Sequence, residues 1–293
     1  MAPSSDVQKF QDALASSKRI ITLAGAGLSA GSGIPTYRDK GGLWGSNNAM
    51  ECATPQAFQE NPARVWQFYN ARRVKFLEAK PNAAHIALAS LSLPATCTRV
   101  APGIETPPIV VTQNIDSLSR RALQSLLESE PQFQQPGAAD TFLQATLFEI
   151  HGSMVVTQCT SCRHINRTDG IASPFAASDN EEVPGLPRCG GPSWAGSNRY
   201  GQCGGLLRPS VTWFGEVPEH MGEIAMRLNK CDMFLLVGTS SLVHPAAGFA
   251  KTVRACGGKI AVFNKEKLAE HEEADFLFLG PCEDTLLTAL GLN

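Results

Sequence analysis

The sequence predicts an α/β fold in which a mainly parallel sheet carries a smaller inserted subdomain. Short apolar runs recur along the 293 residues, with helical stretches between most of them. That alternation is typical of a parallel sheet whose two faces are covered by helices. Two segments break it: residues 41–80, which are helical and rich in aromatic side chains, and residues 155–208, which are rich in Cys, Gly, Pro and Ser. We interpret both as insertions into one α/β domain.

Each element follows from a local pattern. A short opening helix is predicted by apolar residues at helical spacing, namely Val7, Phe10, Ala13 and Leu14. Short apolar runs bounded by turn residues predict strands at residues 19–24, 109–112, 147–150, 233–237 and 259–263. Residues 125–145, with Pro131 and Pro136, are expected to form an exposed connection. The predicted organisation is a sheet domain of residues 1–43, 81–154 and 209–293, a helical segment of residues 44–80 and a cysteine-bearing module of residues 155–208.

The composition excludes several classes of function. With 43% hydrophobic and 18% charged residues, the chain resembles an ordinary soluble globular protein. It lacks an apolar run approaching the roughly 18 residues that a membrane span needs, so we expect no membrane contact. The formal net charge of -2 provides no basic field for the nucleic-acid backbone, so we expect no direct nucleic-acid binding.

The cysteines indicate an intracellular, reducing compartment. Nine is an odd number, no secretory apolar segment precedes them, and two form a tight Cys-x-x-Cys pair, which favours thiols and metal over disulfides. Residues 1–18 contain Asp6 and Asp12 but no arginine, unlike a mitochondrial presequence. Cytoplasm or nucleus is therefore favoured, but a cleaved presequence would leave no trace, so the mitochondrion stays open.

A glycine-rich turn comes directly after the first predicted strand. Residues 24–30, Ala-Gly-Ala-Gly-Leu-Ser-Ala, fit the G-x-G-x-x-G/A pattern, in which glycines permit a tight turn and close approach of backbone to a pyrophosphate. A purely structural turn is the alternative for such a match alone. No acidic residue stands clearly about 20 positions on to bind the ribose, so an ordinary dehydrogenase is disfavoured. The pattern favours a Rossmann-like domain with another chemistry.

Polar side chains follow the other predicted strands. Asn114 and Asp116 come after the second strand, His151 after the third, Thr239 after the fourth and Asn264 after the fifth. In open α/β sheets ligands bind at the carboxyl ends of the strands. We expect these side chains to line one crevice.

His151 is the candidate base in that crevice. It ends an apolar strand beside Gly152, and the ordinary histidine pKa of about 6.5 suits a base at neutral pH. The plainer interpretation, a surface or satisfied core residue, is preferred for the other histidines, namely His85, His164, His220, His244 and His271.

Four cysteines predict a structural zinc site. Cys159 and Cys162 form one pair, and Cys189 and Cys203 supply the other two thiolates of a closed tetrahedral site without an open position for water. Such a metal stabilises a module and does not catalyse.

Four further cysteines are interpreted as small buried hydrophobes, namely Cys52, Cys97, Cys231 and Cys256.

One predicted helix carries an arginine on its apolar face. Asn61-Pro62 supplies a cap and a first-turn proline, and an apolar stripe follows at Val65, Phe68, Tyr69 and Phe76. Arg72 falls on this stripe, whereas Arg73 is expected to point elsewhere. A guanidinium is rarely buried without an anionic partner. An intramolecular salt bridge or a snorkelling side chain is the alternative to a ligand carboxylate.

The motifs in order along the chain resemble those of the sirtuins. They are Gly-Ala-Gly-Leu-Ser-Ala-Gly-Ser-Gly-Ile-Pro-Thr-Tyr-Arg at residues 25–38, Gln-Asn-Ile-Asp at 113–116, His-Gly at 151–152, the four cysteines, Val-Thr-Trp-Phe-Gly-Glu at 211–216 and Gly-Thr-Ser-Ser at 238–241. The resemblance spans nearly the whole chain. One departure is the wide spacing of Cys189 and Cys203, which implies an inserted loop at residues 190–202.

The resemblance implies an NAD-dependent protein-lysine deacylase. In sirtuins the acyl-lysine carbonyl oxygen attacks the nicotinamide ribose carbon, nicotinamide leaves, and the histidine then activates a ribose hydroxyl, so NAD is a consumed co-substrate. His151, Asn114 and Asp116 are the implied catalytic residues, although loop capping is the plainer role for the last two. The implied NAD-binding residues are Gly25, Ala26, Gly27, Ser29, Ala30, Pro35, Tyr37, Arg38, Trp44, Gln113, Asn114, Ile115, Asp116, Gly238, Thr239, Ser240, Asn264, Lys265, Glu266 and Cys282.

The resemblance also implies an acyl preference. Tyr69-x-x-Arg72 resembles the pair that marks sirtuins removing succinyl, malonyl and glutaryl groups, and Ala53 matches their small pocket residue. The implied substrate-binding residues are Ala53, Tyr69, Arg72, Val211, Trp213, Phe214, Gly215 and Glu216. The expected partners are acylated lysine side chains of proteins, and the chain is expected to be a monomer. A general deacetylase, an ADP-ribosyltransferase of the same family and a non-catalytic zinc-ribbon interaction protein are the alternatives.

Overall fold

The computed structural model describes residues 2–36, 51–167, 185–190, 202–240 and 246–292. These residues form a six-stranded sheet and a separate three-stranded sheet. The strands are β1 (Ile20–Ala24), β2 (Ile109–Thr112), β3 (Leu147–Glu149), β4 (Gly152–Cys159), β5 (Ile165–Arg167), β6 (Leu207–Val211), β7 (Met233–Val237), β8 (Lys259–Asn264) and β9 (Phe276–Leu279).

Helices cover the larger sheet and build the smaller subdomain. They are α1 (Val7–Ala15), α2 (Ala26–Ala30), α3 (Pro55–Glu60), α4 (Pro62–Glu78), α5 (Ala83–Ser92), α6 (Pro94–Val100), α7 (Leu118–Ser129), α8 (Ala138–Thr146), α9 (Met221–Leu228), α10 (Phe249–Ala255) and α11 (Cys282–Leu290). Short 3-10 turns lie at Pro131–Phe133, Ala246–Gly248 and Ala269–Glu273. Among the helices of these described ranges, none combines the length and apolar character needed to cross a membrane.

The larger sheet has the order β3-β2-β1-β7-β8-β9 and is parallel throughout. The chain therefore reverses its direction of winding between β1 and β7, where it leaves a crevice at the carboxyl ends of the strands. One apolar cluster lies on each face of the sheet, because the strand residues alternate between the two sides. The predicted Rossmann-like parallel sheet is confirmed.

The local patterns place most elements as predicted. Asp6 caps α1 by accepting a hydrogen bond from the Lys9 N–H at 3.1 Å, and Asn61 caps α4 from the Arg64 N–H at 2.9 Å, with Pro62 in the first turn. All five predicted apolar runs form strands within one residue at either end.

Two expectations about the fold are wrong or incomplete. Residues 125–145 are mostly helical, because Pro131 and Pro136 fall between α7 and α8 and not inside them, and Leu127 and Leu143 are buried.

Strand β9 has no counterpart in the predicted elements. It is short and follows only a 3-10 turn, but its pairing with β8 and the packing of Phe276 and Phe278 on Phe10 fix it at the sheet edge.

The smaller subdomain joins α3 and α4 to the three-stranded antiparallel sheet, whose order is β5-β4-β6. Its core is aromatic and includes Phe58, Trp66, Phe68, Tyr69 and Trp213. The Trp66 indole N–H donates to the Leu207 carbonyl at 2.9 Å and ties α4 to β6. The residue limits assigned to the three predicted segments remain a prediction.

Candidate functional site

Three glycines bring the first loop and the β7 loop into backbone contact. The Gly27 N–H donates to the Gly238 carbonyl at 2.8 Å. A Cβ on Gly25 would lie 2.7 Å from the Thr239 Cβ, and a Cβ on Gly238, whose φ is +60°, would lie 2.2 Å from the Leu28 nitrogen. Side chains are excluded here, because the two loops pack backbone against backbone. The sequence predicts that a pyrophosphate binds at this strand-to-helix turn, the cradle, and that binding remains a prediction.

A buried polar cluster lies behind the cradle. The Ser29 hydroxyl donates to Asp116 Oδ2 at 2.6 Å, and Asn114 Nδ2 donates both to the Gly25 carbonyl at 3.0 Å and to Ser29 Oγ at 3.1 Å. Asp116 Oδ1 accepts from the Leu118 N–H at 2.8 Å. The structure therefore brings three of the predicted residues, Ser29, Asn114 and Asp116, into one network.

Burial dominates the electrostatics of Asp116. It raises the pKa of this carboxyl group above its ordinary range, although the hydrogen bonds from Ser29 and Leu118 favour the ionised form. The protonated form of Asp116 is therefore favoured more than that of an exposed aspartate.

His85 is the satisfied core residue that the sequence analysis favours, and it also contacts the polar cluster. It is buried at 1% exposure, and its Nε2 lies 3.4 Å from Ser29 Oγ. Its Nδ1 faces Asn82, the cap of α5, whose backbone N–H lies 3.3 Å away. Burial lowers the pKa of His85 to about 4, so the ring is neutral at physiological pH. The signal in the sequence is the Asn82-x-x-His85 capping pattern at the helix start, which indicates a fixed ring.

His151 lies at the carboxyl end of β3, as predicted. Its Nδ1 lies 2.9 Å from the Gln113 carbonyl oxygen, which can only accept, so Nδ1 carries the proton and Nε2 is left as the basic nitrogen. Burial lowers the pKa of His151 below 6.5, while the Gln113 contact opposes that effect. Gly152 follows with φ +74°, and a Cβ there would lie 2.0 Å from the Ser210 carbonyl oxygen.

The other strand ends join the same crevice. Thr239 Oγ1 donates to Gln113 Oε1 at 3.0 Å, and Asn264 Nδ2 donates to the Thr239 carbonyl at 3.3 Å. Cys282 is buried beneath β8, and burial raises its pKa to about 12, so it is a neutral thiol. One edge of the sheet carries all five expected side chains, namely Asn114, Asp116, His151, Thr239 and Asn264.

Several predicted NAD contacts are peripheral or lie outside the described residues. Lys265 and Glu266 are exposed, Ala26, Pro35, Ile115 and Ser240 are half-buried, and Ala30 is exposed. Tyr37, Arg38 and Trp44 fall outside the residues that the structure describes.

The predicted acyl pocket is lined from α4 and the segment after β6. Arg72 is 7% exposed, its Nη1 donates to the Phe68 carbonyl at 2.6 Å, and its guanidinium carbon lies 3.5 Å from the Phe68 ring centre. The Tyr69 hydroxyl accepts from the Trp213 indole N–H at 3.0 Å. Ala53 is buried and accepts from the Phe214 N–H at 2.9 Å.

Arg73 points to a different side of α4 from Arg72, as expected, but that side is buried too. It is 2% exposed and donates to the Met154 carbonyl of β4 at 2.7 Å. Helix α4 is covered on two sides, by the segment after β6 and by β4, and both arginines are buried. Cys256 departs from expectation, because it is exposed at the end of α10 and not part of a core.

Glu216 holds Arg208 and the backbone of Trp213 in place. Its two carboxylate oxygens accept from Arg208 at 2.6 and 2.9 Å, and Oε2 also accepts from the Trp213 N–H at 2.8 Å. Arg208 in turn lies over the Trp213 ring, with its guanidinium carbon 3.4 Å from the ring centre. Val211 is buried at the end of β6, Gly215 has φ +90°, and Phe214 is 44% exposed at the mouth of the pocket.

The four predicted metal ligands meet in one cluster. The sulfurs of Cys159, Cys162, Cys189 and Cys203 all lie within 4.8 Å of one another. Two of the separations, 3.4 Å for Cys159 to Cys203 and 3.7 Å for Cys162 to Cys189, are near the roughly 3.8 Å of a zinc tetrahedron with Zn–S bonds of about 2.3 Å. Backbone N–H groups of Ser161 and Cys162 point at the Cys159 sulfur. The donor set fits a structural zinc ion.

These features define an α/β dinucleotide-binding protein with a four-cysteine metal module. Comparison with known proteins places it further: the Sir2 family matches residues 25–135 and 138–245. The NAD-dependent protein deacylase sirtuin-5A, mitochondrial, of Xenopus laevis is 38% identical, over 98% of this chain and 86% of that protein. The mitochondrial sirtuin-5 deacylase of Canis lupus familiaris is 40% identical over the same shares. The chain belongs to the Sir2 family.

A solved structure agrees with this family assignment. A Sir2 homologue in complex with NAD is 30% identical, covers 99% of this chain and 94% of its own, and superposes with a TM-score of 0.75. The sirtuin resemblance of the sequence is thereby confirmed.

Proposed function

We propose that this chain is an NAD-dependent protein-lysine deacylase that removes succinyl, malonyl or glutaryl groups and releases nicotinamide and O-acyl-ADP-ribose. The observation that carries the acyl preference is Arg72, which is buried against the Phe68 ring one helical turn from Tyr69. Curated relatives at 38 to 40% identity are named NAD-dependent protein deacylases, which supports the reaction class. The acidic acyl group is the finer part of the proposal and depends on this chain's own residues.

NAD fits the cradle for physical reasons. Gly25 and Gly27 let the first loop pack directly on Gly238 and Thr239, which sets the strand-to-helix turn whose backbone would face an anionic pyrophosphate. Asn114 and Asp116 would hold the nicotinamide carboxamide and ribose region, with Ser29 fixing both side chains. NAD supplies the electrophilic ribose carbon and the leaving nicotinamide.

His151 acts as the base. Its Nδ1 is held by the Gln113 carbonyl, so Nε2 has a lone pair directed elsewhere, and the lowered pKa keeps this nitrogen unprotonated at neutral pH. Nε2 would take the proton of a ribose hydroxyl of bound NAD, and that hydroxyl oxygen would supply the nucleophile for the acyl carbon.

The pocket is connected to this base by backbone hydrogen bonds. The Thr212 N–H donates to the His151 carbonyl at 2.9 Å, and Trp213 follows Thr212 directly. Trp213 reaches Tyr69 on α4, and Arg72 lies one turn further along the same helix face. We infer that an acyl group extending past His151 meets the tyrosyl hydroxyl and the guanidinium. A carboxylate can accept from both, whereas an acetyl group offers neither of them an acceptor at its methyl end.

The zinc module has a supporting role. Four cysteine sulfurs would hold one Zn²⁺ ion, namely those of Cys159, Cys162, Cys189 and Cys203. Because sulfur closes the coordination, the ion would stabilise the module and leave no position for a reacting water.

The relatives from frog and dog are named mitochondrial, and we infer an intracellular site of action, with the mitochondrion as the first compartment to examine. The partners are acylated lysines of proteins, and the chain acts as a monomer.

A panel of peptides tests the proposal. The protein is incubated with NAD and one lysine peptide carrying a succinyl, malonyl, glutaryl or acetyl group, and nicotinamide and O-acyl-ADP-ribose are followed by mass spectrometry. Acyl-ADP-ribose of the matching mass, formed fastest from the acidic groups, is expected. An ADP-ribosylated protein without deacylated peptide would instead identify an ADP-ribosyltransferase, and equal or faster acetyl turnover would identify a general deacetylase.

A further inference from the structure

The hydrogen bond between Trp213 and Tyr69 has only one possible direction. The indole Nε1 lies 3.0 Å from the Tyr69 hydroxyl oxygen, and the two side chains are 2% and 3% exposed. An indole N–H can donate but cannot accept, so the tyrosyl oxygen is the acceptor. The single hydroxyl proton of Tyr69 is therefore directed away from Trp213.

This direction makes Tyr69 a better donor. A hydroxyl whose oxygen accepts a hydrogen bond is polarised so that its own proton donates more strongly, and the effect is larger at low dielectric. The carboxylate of a succinyl group can only accept. A tyrosine held in this state is complementary to an acidic acyl group. Arg72, on the same face of α4, adds a positive charge for that group.

Trp213 is itself fixed on its ring and on its backbone. The Arg208 guanidinium carbon lies 3.4 Å from the ring centre, and Phe58 lies against the indole with ring centres 5.4 Å apart. Glu216 holds Arg208 through two hydrogen bonds and accepts from the Trp213 N–H. The indole can therefore point its N–H at Tyr69 without losing rotational freedom when a substrate binds.

We propose that Trp213 is a positioning residue for acyl specificity, whose indole N–H sets the Tyr69 hydroxyl to donate to the carboxylate of the acyl group. The inference deepens the proposed function and rests on it. Arg208 and Glu216 act one step further out by holding the indole.

The test is a double-substitution cycle on the succinyl-to-acetyl ratio of kcat/KM. Trp213→Phe keeps an aromatic ring but removes the N–H, and Tyr69→Phe removes the hydroxyl. Trp66→Phe is the matched control, because Trp66 lies in the same aromatic core and donates a similar bond, but to the Leu207 carbonyl. Zinc content and Tm are measured for each variant.

Trp213→Phe is expected to lower the ratio about three- to ten-fold, chiefly by raising KM for the succinyl peptide, as for loss of one buried hydrogen bond. Tyr69→Phe is expected to lower it further. Adding Trp213→Phe to Tyr69→Phe should change the ratio no more, because the hydroxyl that the indole positions is gone. Trp66→Phe should lower Tm and leave the ratio unchanged.

Different failures have different meanings. A wild-type protein without preference for succinyl, unaffected by Tyr69→Phe, overturns the proposed function. A ratio that falls with Tyr69→Phe but not with Trp213→Phe, or that falls equally in both backgrounds, overturns the positioning role alone. If Trp213→Phe does not fold, benzothienylalanine at position 213, in which sulfur replaces the N–H at nearly the same shape, provides the same measurement.

Discussion

Replacing Arg72 by Met is the perturbation that most sharply separates a ligand-binding arginine from a structural one. Met fills much of the volume of the arginine stem and keeps an apolar contact with Phe68. It removes the guanidinium and with it any bidentate contact to an acyl carboxylate. In a pocket where Arg72 is only 7% exposed, that contact is desolvated and screened little by salt.

The magnitude depends on the kind of hydrogen bond that the substitution removes. A charge-assisted hydrogen bond contributes about 1.5 to 3 kcal/mol, and a bidentate pair about 2 to 4 kcal/mol, which is roughly 30- to 1,000-fold in kcat/KM. The effect should appear for succinyl, malonyl and glutaryl peptides as a raised KM. Turnover of acetyl peptide should stay level or improve, because the pocket becomes apolar.

Arg73→Met is the matched control for this assay. Arg73 is the next residue of α4, is also buried, and donates to the Met154 carbonyl of β4. Its replacement should lower Tm and affect all acyl peptides alike. If Arg72→Met also lowers succinyl and acetyl turnover equally and lowers Tm, Arg72 is structural and the acyl-pocket assignment is wrong.

His151 and the cysteine cluster provide three further predictions. Replacing His151 by Tyr should lower deacylation at least a hundred-fold while calorimetry still detects NAD binding, because the residue serves as a base; more than a few per cent of activity would remove it from the mechanism. In the wild-type enzyme the acidic limb of the kcat/KM profile should lie below pH 6.5, since burial lowers the His151 pKa; a limb above that value would contradict the assignment. Metal analysis should find one zinc per chain, and Cys159→Ser should unfold the module; a metal-free, fully active protein would contradict it.

A final prediction concerns His85 and folding stability. Its folded pKa is about 4 and its ordinary value 6.5, so the unfolded chain binds a proton that the folded chain excludes. The stabilisation is fully present above pH 6.5 and is lost as the pH falls towards about 4, by about 3 kcal/mol. Urea unfolding of wild type and His85→Gln should show a shallower pH dependence in the variant. Parallel dependences would show that folding does not lower the His85 pKa.

The sequence was sufficient for five of the six strands of the larger sheet and for the residues at the carboxyl edge of that sheet. Strand runs are short and apolar, and the polar residues that follow them are placed by the sheet itself, so Asn114, His151 and Thr239 could be located without coordinates. The cysteine cluster was equally accessible, because four thiolates in one module have one common use.

What could not be predicted depends on contacts between distant segments. Helix α4 is covered on two sides, so a single apolar stripe did not reveal that Arg73 is buried. His85 lies 56 positions from Ser29, and only the packing of α5 against α2 brings them within 3.4 Å. Strand β9 depends on pairing with β8 and on packing against Phe10, which no local pattern contains.

The central claim is that this deacylase selects acidic acyl groups, and a competition assay tests it most directly. Equal concentrations of one lysine peptide in succinyl and acetyl form, with NAD in excess, are placed in a single reaction, so that the ratio of products equals the ratio of kcat/KM. Succinyl peptide should be consumed at least ten-fold faster, with O-succinyl-ADP-ribose as the main nucleotide product. Equal consumption, or faster loss of the acetyl peptide, would contradict the account.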